Sequence, residues 1–243
     1  MATEIGDQPL TSVDGSVGPD GAGRPSVLLF DVNETLSDMS SLGRRFEDVG
    51  APAHLARTWF AGLLRDGFAL TVVDACAPFA RIAAASLRVV LHGLPLSLST
   101  DDAVEHVMAG FRGLPVHPDV PDGVRALGDL GIRLVTLSNG ATSVAEELFD
   151  RAGIRGSFEA LLSVEDAGVW KPAPGAYAYA LERCGVDPSD AMLVAVHPWD
   201  VDGGARAGLG TAWLDRTRGP YPEFFRAPDL APRSLVELAD QLR

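Results

Sequence analysis

Four short stretches of the chain carry side chains that could act on a chemical bond. In Asp31-Val32-Asn33-Glu34-Thr35-Leu36 a carboxylate follows directly on the apolar run Ser26 to Phe30, and a hydroxyl follows four residues later. A carboxylate delivered by a strand end can attack an electrophilic centre, although an isolated Asp at such a place more commonly caps a turn. Leu137-Ser138-Asn139-Gly140 sets a hydroxyl and an amide after a second apolar run, where they could hold a substrate or simply form an Asx turn. Trp170-Lys171-Pro172 offers an ammonium that would keep a neighbouring carboxylate ionised, unless Lys171 is one of the many lysines that lie in solvent. His197-Pro198-Trp199-Asp200 adds an imidazole, a proton donor near neutral pH, and a second carboxylate.

These groups meet only if the chain carries them to one edge. Ser26 to Phe30, Arg133 to Leu137, Ala160 to Leu162 and Ala191 to Val196 are short apolar runs that end abruptly in polar residues, the profile of buried parallel strands. Between them, Ser143 to Ala152 and Pro174 to Cys184 show apolar residues at helical spacing. The alternation predicts an α/β fold with a parallel sheet, helices on both faces and a site at the carboxyl ends of the strands. From Leu42 to Phe111 the pattern changes: Pro52 to Leu64, Thr71 to Leu91 and Thr100 to Phe111 read as helices with no strand among them. We therefore divide the chain into a disordered tail (1–24), a core (25–41 and 114–243) and an inserted helical cap (42–113) that could roof a pocket. A closing helix over Ser234 to Leu242 is capped by Ser234.

Composition excludes several classes of function. With 47% hydrophobic residues the chain can fill a core, so most of it is expected to fold. Its 33 acidic residues outnumber its 20 Lys and Arg, and the formal net charge of −13 repels nucleic-acid backbones and anionic membrane surfaces, so neither is expected as a partner. The most apolar segments, Phe68 to Ala77 and Ile82 to Leu91, are interrupted by Asp74 and Arg88 and fall short of the roughly 20 residues that a membrane-spanning helix requires. Residues 1–24 contain neither a cationic start nor an apolar run, which reads as no signal peptide and no anchor. Cys76 and Cys184 stand apart from any CxxC pair, so they are expected to be reduced and structural in a cytoplasmic protein.

Taken in order, each at a strand end or in the loop that follows, the four stretches resemble the motifs of the haloacid dehalogenase (HAD) superfamily, over Ser26 to about Arg216. The resemblance implies a Rossmann-like core with a cap, and catalytic roles for five residues. Asp31 would be the nucleophile. Ser138 would hold the substrate or the free oxygen of Asp31, Lys171 would neutralise the carboxylate cluster, and Asp200 would orient Lys171 or activate water. His197 would serve as a proton donor.

Two departures from the magnesium phosphatases of the superfamily stand out. Asn33 occupies the place of their second Asp, and Val196 occupies the place of a metal-binding Asp; an apolar side chain cannot ligate a hard cation. No metal and no cofactor are therefore expected. The LSNG motif, the Trp199-Asp200 pair and Tyr177 instead resemble the type II L-2-haloacid dehalogenases, whose relatives are commonly homodimers. That likeness has gaps: Asn33 stands where a Tyr is typical, Ala195 and His197 stand for a Ser and an Asn, and Phe60 stands for a cap arginine if Trp59 is the tryptophan before it. Thr35, Asn33, Asn139, Trp59, Phe60, Tyr177 and Trp199 are the expected substrate contacts.

The resemblance thus points to a metal-independent hydrolase that acts on a small 2-substituted carboxylic acid through an aspartyl ester. A halide leaves unprotonated, whereas an amine needs a proton, so His197 keeps open a ring-opening hydrolase of the azetidine-2-carboxylate type. The same residues would also suit a phosphatase with an atypical metal site, or a protein that binds a small acid or a protein partner without catalysis.

Overall fold

In a computed structural model, residues 24–243 are described. Apart from Arg24, the expected tail lies outside them. The Arg24 guanidinium donates to the carbonyls of Leu242 and Arg243, at 2.7 and 2.8 Å, and so ties the start of the described chain to its end.

Five strands, β1 (Val27–Phe30), β2 (Arg133–Ser138), β3 (Ala160–Ser163), β4 (Ala191–Ala195) and β5 (Gly210–Trp213), form one parallel sheet in the order β3-β2-β1-β4-β5. The central strand is β1. Its alternating side chains build two layers, as the two-residue period of a strand requires. Leu28 and Phe30 face a cluster that includes Val124 and Leu127 of α5 (Val120–Asp129), Leu148 and Phe149 of α6 (Thr142–Arg151), and Leu235 and Leu238 of α10 (Leu235–Gln241). Val27 and Leu29 face the other cluster, which includes Ala176, Tyr177 and Ala180 of α8 (Pro174–Cys184). Each fully buried large side chain contributes roughly 1.5–3 kcal/mol relative to exposure. The α8 boundaries agree with those read from the sequence, and Ser234 caps α10 through an amide of Glu237. The strand β5 was not expected, because Gly-Thr-Ala-Trp is too short and too mixed to read as an apolar run.

Four helices lie between β1 and α5: α1 (Leu42–Asp48), α2 (Leu55–Val72), α3 (Phe79–Leu91) and α4 (Thr100–Arg112). The helix expected to start at Thr71 starts at Phe79, because the chain breaks at Asp74, in the left-handed region at φ 54°, and is extended at Pro78. Their apolar faces join the cluster of Val27 and Leu29 through Trp170, whose ring stacks on Phe79 at 5.9 Å and leaves no space for a side chain at Gly67 of α2. The four helices leave and rejoin the sheet through a narrow neck, where Ser37 and Val116 form an antiparallel bridge and the Asp38 amide donates to Pro115 at 2.8 Å. Among the described residues no helix is long and apolar enough to cross a membrane.

Candidate active site

The three strand ends of β1, β2 and β4 and the loop before α8 bring the four polar stretches together. Asp31 leaves β1 with its amide bound to the Val194 carbonyl at 3.0 Å, and its side chain is 5% exposed. Lys171 reaches it from the loop. The Nζ donates to Asp31 Oδ1 at 3.0 Å and to Asp200 Oδ2 at 2.6 Å, and the Tyr177 hydroxyl donates to Asp200 Oδ1 at 2.6 Å. Thr35 Oγ1 donates to Asp31 Oδ2 at 2.6 Å and accepts from the Val196 amide, so the hydroxyl spans β1 and β4. Asp200 does not sit in a loop, as the sequence suggested, but in the first turn of α9 (Pro198–Arg206). That helix lies against α8 because Gly203 faces the Tyr177 hydroxyl, where a Cβ would stand only 2.3 Å away.

The charges explain why a buried lysine survives here. Burial, the largest single effect, would lift the Asp31 carboxyl, but Lys171, His197 and Thr35 together outweigh it and hold Asp31 well below the usual carboxylate range. Burial also works against the Lys171 charge, yet Asp200 and Asp31 keep its ammonium above the ordinary value. Burial raises the Asp200 carboxyl; Lys171 opposes the rise and Asp31 adds to it. Burial and the adjacent Asp200 charge push the Tyr177 phenol well above its ordinary value. The four groups therefore hold one proton pattern: an anionic Asp31 against a cationic Lys171, steadied by Asp200 and Tyr177.

On the other side of Asp31 stands His197. Its Nδ1 lies 3.3 Å from Asp31 Oδ2 but finds no aligned hydrogen-bond partner among the described residues, while its Nε2 meets Glu34 Oε2 at 2.9 Å. Against burial, the contacts with Asp31 and then Glu34 raise the imidazolium to about 9. Glu34 is thus the second carboxylate that raises it. The ring stacks on Trp199, centroids 5.0 Å apart, and Trp199 packs on Phe68 of α2. Glu34 itself has φ 62°, and its carbonyl meets His117 Nε2 at 2.9 Å. Arg216 donates to the Thr35 carbonyl and to Asp119, which fixes the same turn from β5's end. Neither Glu34, His117 nor Arg216 stood out in the sequence, because an acidic residue inside a turn carries no signal of its partner.

Not every expected contact faces a substrate. Trp59 is wholly buried among Phe46, Phe60 and Phe111, with its Nε1 on the Ala83 carbonyl at 3.0 Å, so it is part of the cap's own core. Thr35 and Tyr177 are likewise fully buried and act on Asp31 and Asp200. Asn139 clamps the backbone of Lys171, accepting from its amide at 3.0 Å and donating to its carbonyl at 3.4 Å. Ser138 Oγ accepts from the Gly140 amide at 2.9 Å.

Two spaces are lined by neighbours of Asp31, which itself lines neither. A cavity of about 60 Å³ is lined by Asn33, Ser138, Phe79, Met108, Phe111 and Arg112. An open cleft of about 750 Å³ between cap and core is lined by His197, Glu34, Phe60, Trp199 and others. Neither space offers a divalent cation a fitting donor set: the Lys171 ammonium fills the gap between Asp31 and Asp200, and among the described residues no three His, Cys, Asp or Glu side chains are grouped to hold a metal.

The chain resembles characterised enzymes over nearly its full length. It is 29% identical over 216 residues to the (S)-2-haloacid dehalogenase of Pseudomonas sp. (strain YL), covering 87% of this chain and 93% of that one. It is 28% identical over 204 residues to haloacetate dehalogenase H-2 of Moraxella sp. (strain B), covering 83% and 91%. A solved L-2-haloacid dehalogenase superposes with a TM-score of 0.84 at 27% identity, covering 90% of this chain and 99% of that one. The family model for haloacid dehalogenase-like hydrolases matches residues 26–208, the span that holds Asp31, Lys171 and Asp200, and the chain belongs to that family.

Proposed function

We propose that the protein is a metal-independent hydrolase that displaces the substituent at carbon 2 of a small carboxylic acid. The observation that carries this reading is the buried Asp31–Lys171–Asp200 array, in which the Lys171 ammonium lies between the two carboxylates and holds Asp31 ionised. Asp31 attacks carbon 2 in line, the substituent leaves with the bonding pair, and the resulting ester is cleaved by water at the Asp31 carbonyl. Lys171 keeps Asp31 anionic, and Thr35 fixes its orientation. Asn33, Ser138 and Arg112 give the 60 Å³ cavity a polar side that suits a short carboxylate, while Phe79, Met108 and Phe111 exclude longer chains. Similarity to (S)-2-haloacid dehalogenases favours a halide as the substituent.

A second reading, ring opening of a strained cyclic amine acid, is favoured by His197, which stays protonated to about 9 beside the nucleophile and can give a proton to an amine. A panel assay tests both. Chelator-treated protein is offered 2-chloropropionate, fluoroacetate, azetidine-2-carboxylate and p-nitrophenyl phosphate. Product is expected from a 2-substituted acid and none from the phosphate ester. Complete loss of activity in chelator with recovery on magnesium overturns the proposal.

A further inference from the structure

Cleaving an Asp31 ester requires a base for the attacking water, and both oxygens of Asp200 are committed elsewhere. Asp200 is wholly buried with Oδ2 on Lys171 and Oδ1 on Tyr177, each at 2.6 Å. Glu34 Oε2 is on His197. The polar atom left without a hydrogen-bond partner among the described residues is His197 Nδ1, buried and 3.3 Å from Asp31 Oδ2. Glu34 holds the opposite nitrogen from a left-handed backbone conformation that favours glycine, fixed by the Ser37 hydroxyl on its amide and by His117 on its carbonyl. A side chain kept where glycine would fit better points to a use for that side chain.

We propose that His197, oriented by Glu34, is the base that takes the proton from the water which cleaves the Asp31 ester; the proposal rests on the displacement reading above. Nε2 bound to the Glu34 carboxylate keeps a proton, so Nδ1 is the nitrogen that exchanges one. When the leaving group is an amine, the Nδ1 proton goes to it as the carbon–nitrogen bond breaks. When it is a halide, that proton goes to solvent after alkylation. Esterification removes the Asp31 charge and leaves Lys171 opposite; Asp200 stays behind Lys171, and Asp38, Arg57, His117, Asp119, Arg216 and Arg233 line the same cleft as His197. Water then adds to the Asp31 carbonyl carbon and gives its proton to Nδ1. The tetrahedral intermediate expels the 2-hydroxy acid, whose oxygen takes that proton, and the regenerated Asp31 carboxyl returns its own proton to Nδ1. Atoms and charge return to their starting state.

A single-turnover experiment with the full chain and (S)-2-chloropropionate separates the two half-reactions, with the Asp31 ester read by intact mass and peptide mapping. His197→Gln is expected to slow hydrolysis roughly a hundredfold or more and to accumulate the ester, while alkylation changes less than about tenfold. Glu34→Gly suits the backbone, so the chain stays folded by circular dichroism, and hydrolysis slows by about tenfold with alkylation unchanged. Ester that hydrolyses at the wild-type rate in His197→Gln, or equal slowing of both steps, overturns the proposal. Unfolding of Glu34→Gly makes Glu34 structural and overturns its part. Wild-type protein that releases product without ever labelling Asp31 overturns the displacement reading as well, and is distinguished by that missing label.

Discussion

The two oxygens of Asp31 face regions built on different plans. Behind Oδ1, Lys171, Asp200 and Tyr177 are fully buried and each polar atom has its partner. Beyond Oδ2, His197 and Glu34 border the open cleft, one nitrogen is unpartnered among the described residues, and the backbone sits where glycine is preferred. A closed network fixes one charge state; an open one can change it. The lysine side thus holds Asp31 ionised, and under the proposed displacement the histidine side is where leaving group and water would be served.

The sharpest way to break this comparison is to remove either half of the closed side. Asp31→Asn is expected to lower turnover roughly a thousandfold or more, about 4 kcal/mol in the barrier. Lys171→Met should match that loss and also destabilise the fold by about 3–5 kcal/mol, because it leaves two carboxylates buried without a cation. Turnover and urea unfolding measured together would show it; a Lys171→Met protein with wild-type activity would mean that the ammonium only supports the fold.

The pH dependence of stability should divide in the same way. Asp31 is depressed in the folded chain, so its contribution is present above the ordinary carboxylate value near 3.8 and is lost as pH falls through its lower folded value. His197 is raised from 6.5 to about 9, so its contribution is complete below 6.5 and disappears as pH climbs to about 9. Urea unfolding across the range should therefore show an alkaline loss that His197→Asn removes and an acid loss that it leaves in place.

The smallest effect is expected at the edge of the closed side. Tyr177→Phe deletes the hydroxyl's contacts with the Asp200 carboxylate and carbonyl, which should cost about 1–2 kcal/mol of stability and roughly tenfold in turnover. Equal activity in the two proteins would show that Lys171 alone positions Asp200.

The closed side was legible in the sequence and the open side only in part, for a physical reason. Asp31, Ser138 and Asp200 each follow an apolar run or open a helix, so the strand pattern announces where they stand, while Lys171 was legible only through the order of the motifs. Glu34 sits in a turn, and its partner His197 lies 163 residues further on; the pairing exists only once β1 and β4 are adjacent. Trp59 was misplaced because a tryptophan on an amphipathic helix has the same spacing whether it faces a pocket or its neighbours, and only the packing of α2 to α4 decides. Asn139 looked like a substrate ligand because its amide has the right chemistry, yet that amide serves the backbone of Lys171.

The neck at Ser37 and Val116 has a consequence for how such a protein can be altered. Helices α1 to α4 leave and return through two adjoining strands of chain joined by backbone hydrogen bonds, while β1 is already paired on both sides without them. A graft that meets the sheet at these two points replaces the whole roof without redrawing the strand order beneath it. Recombination at the neck, in evolution or in the laboratory, can therefore exchange these helices while Asp31, Lys171 and Asp200 stay where they are.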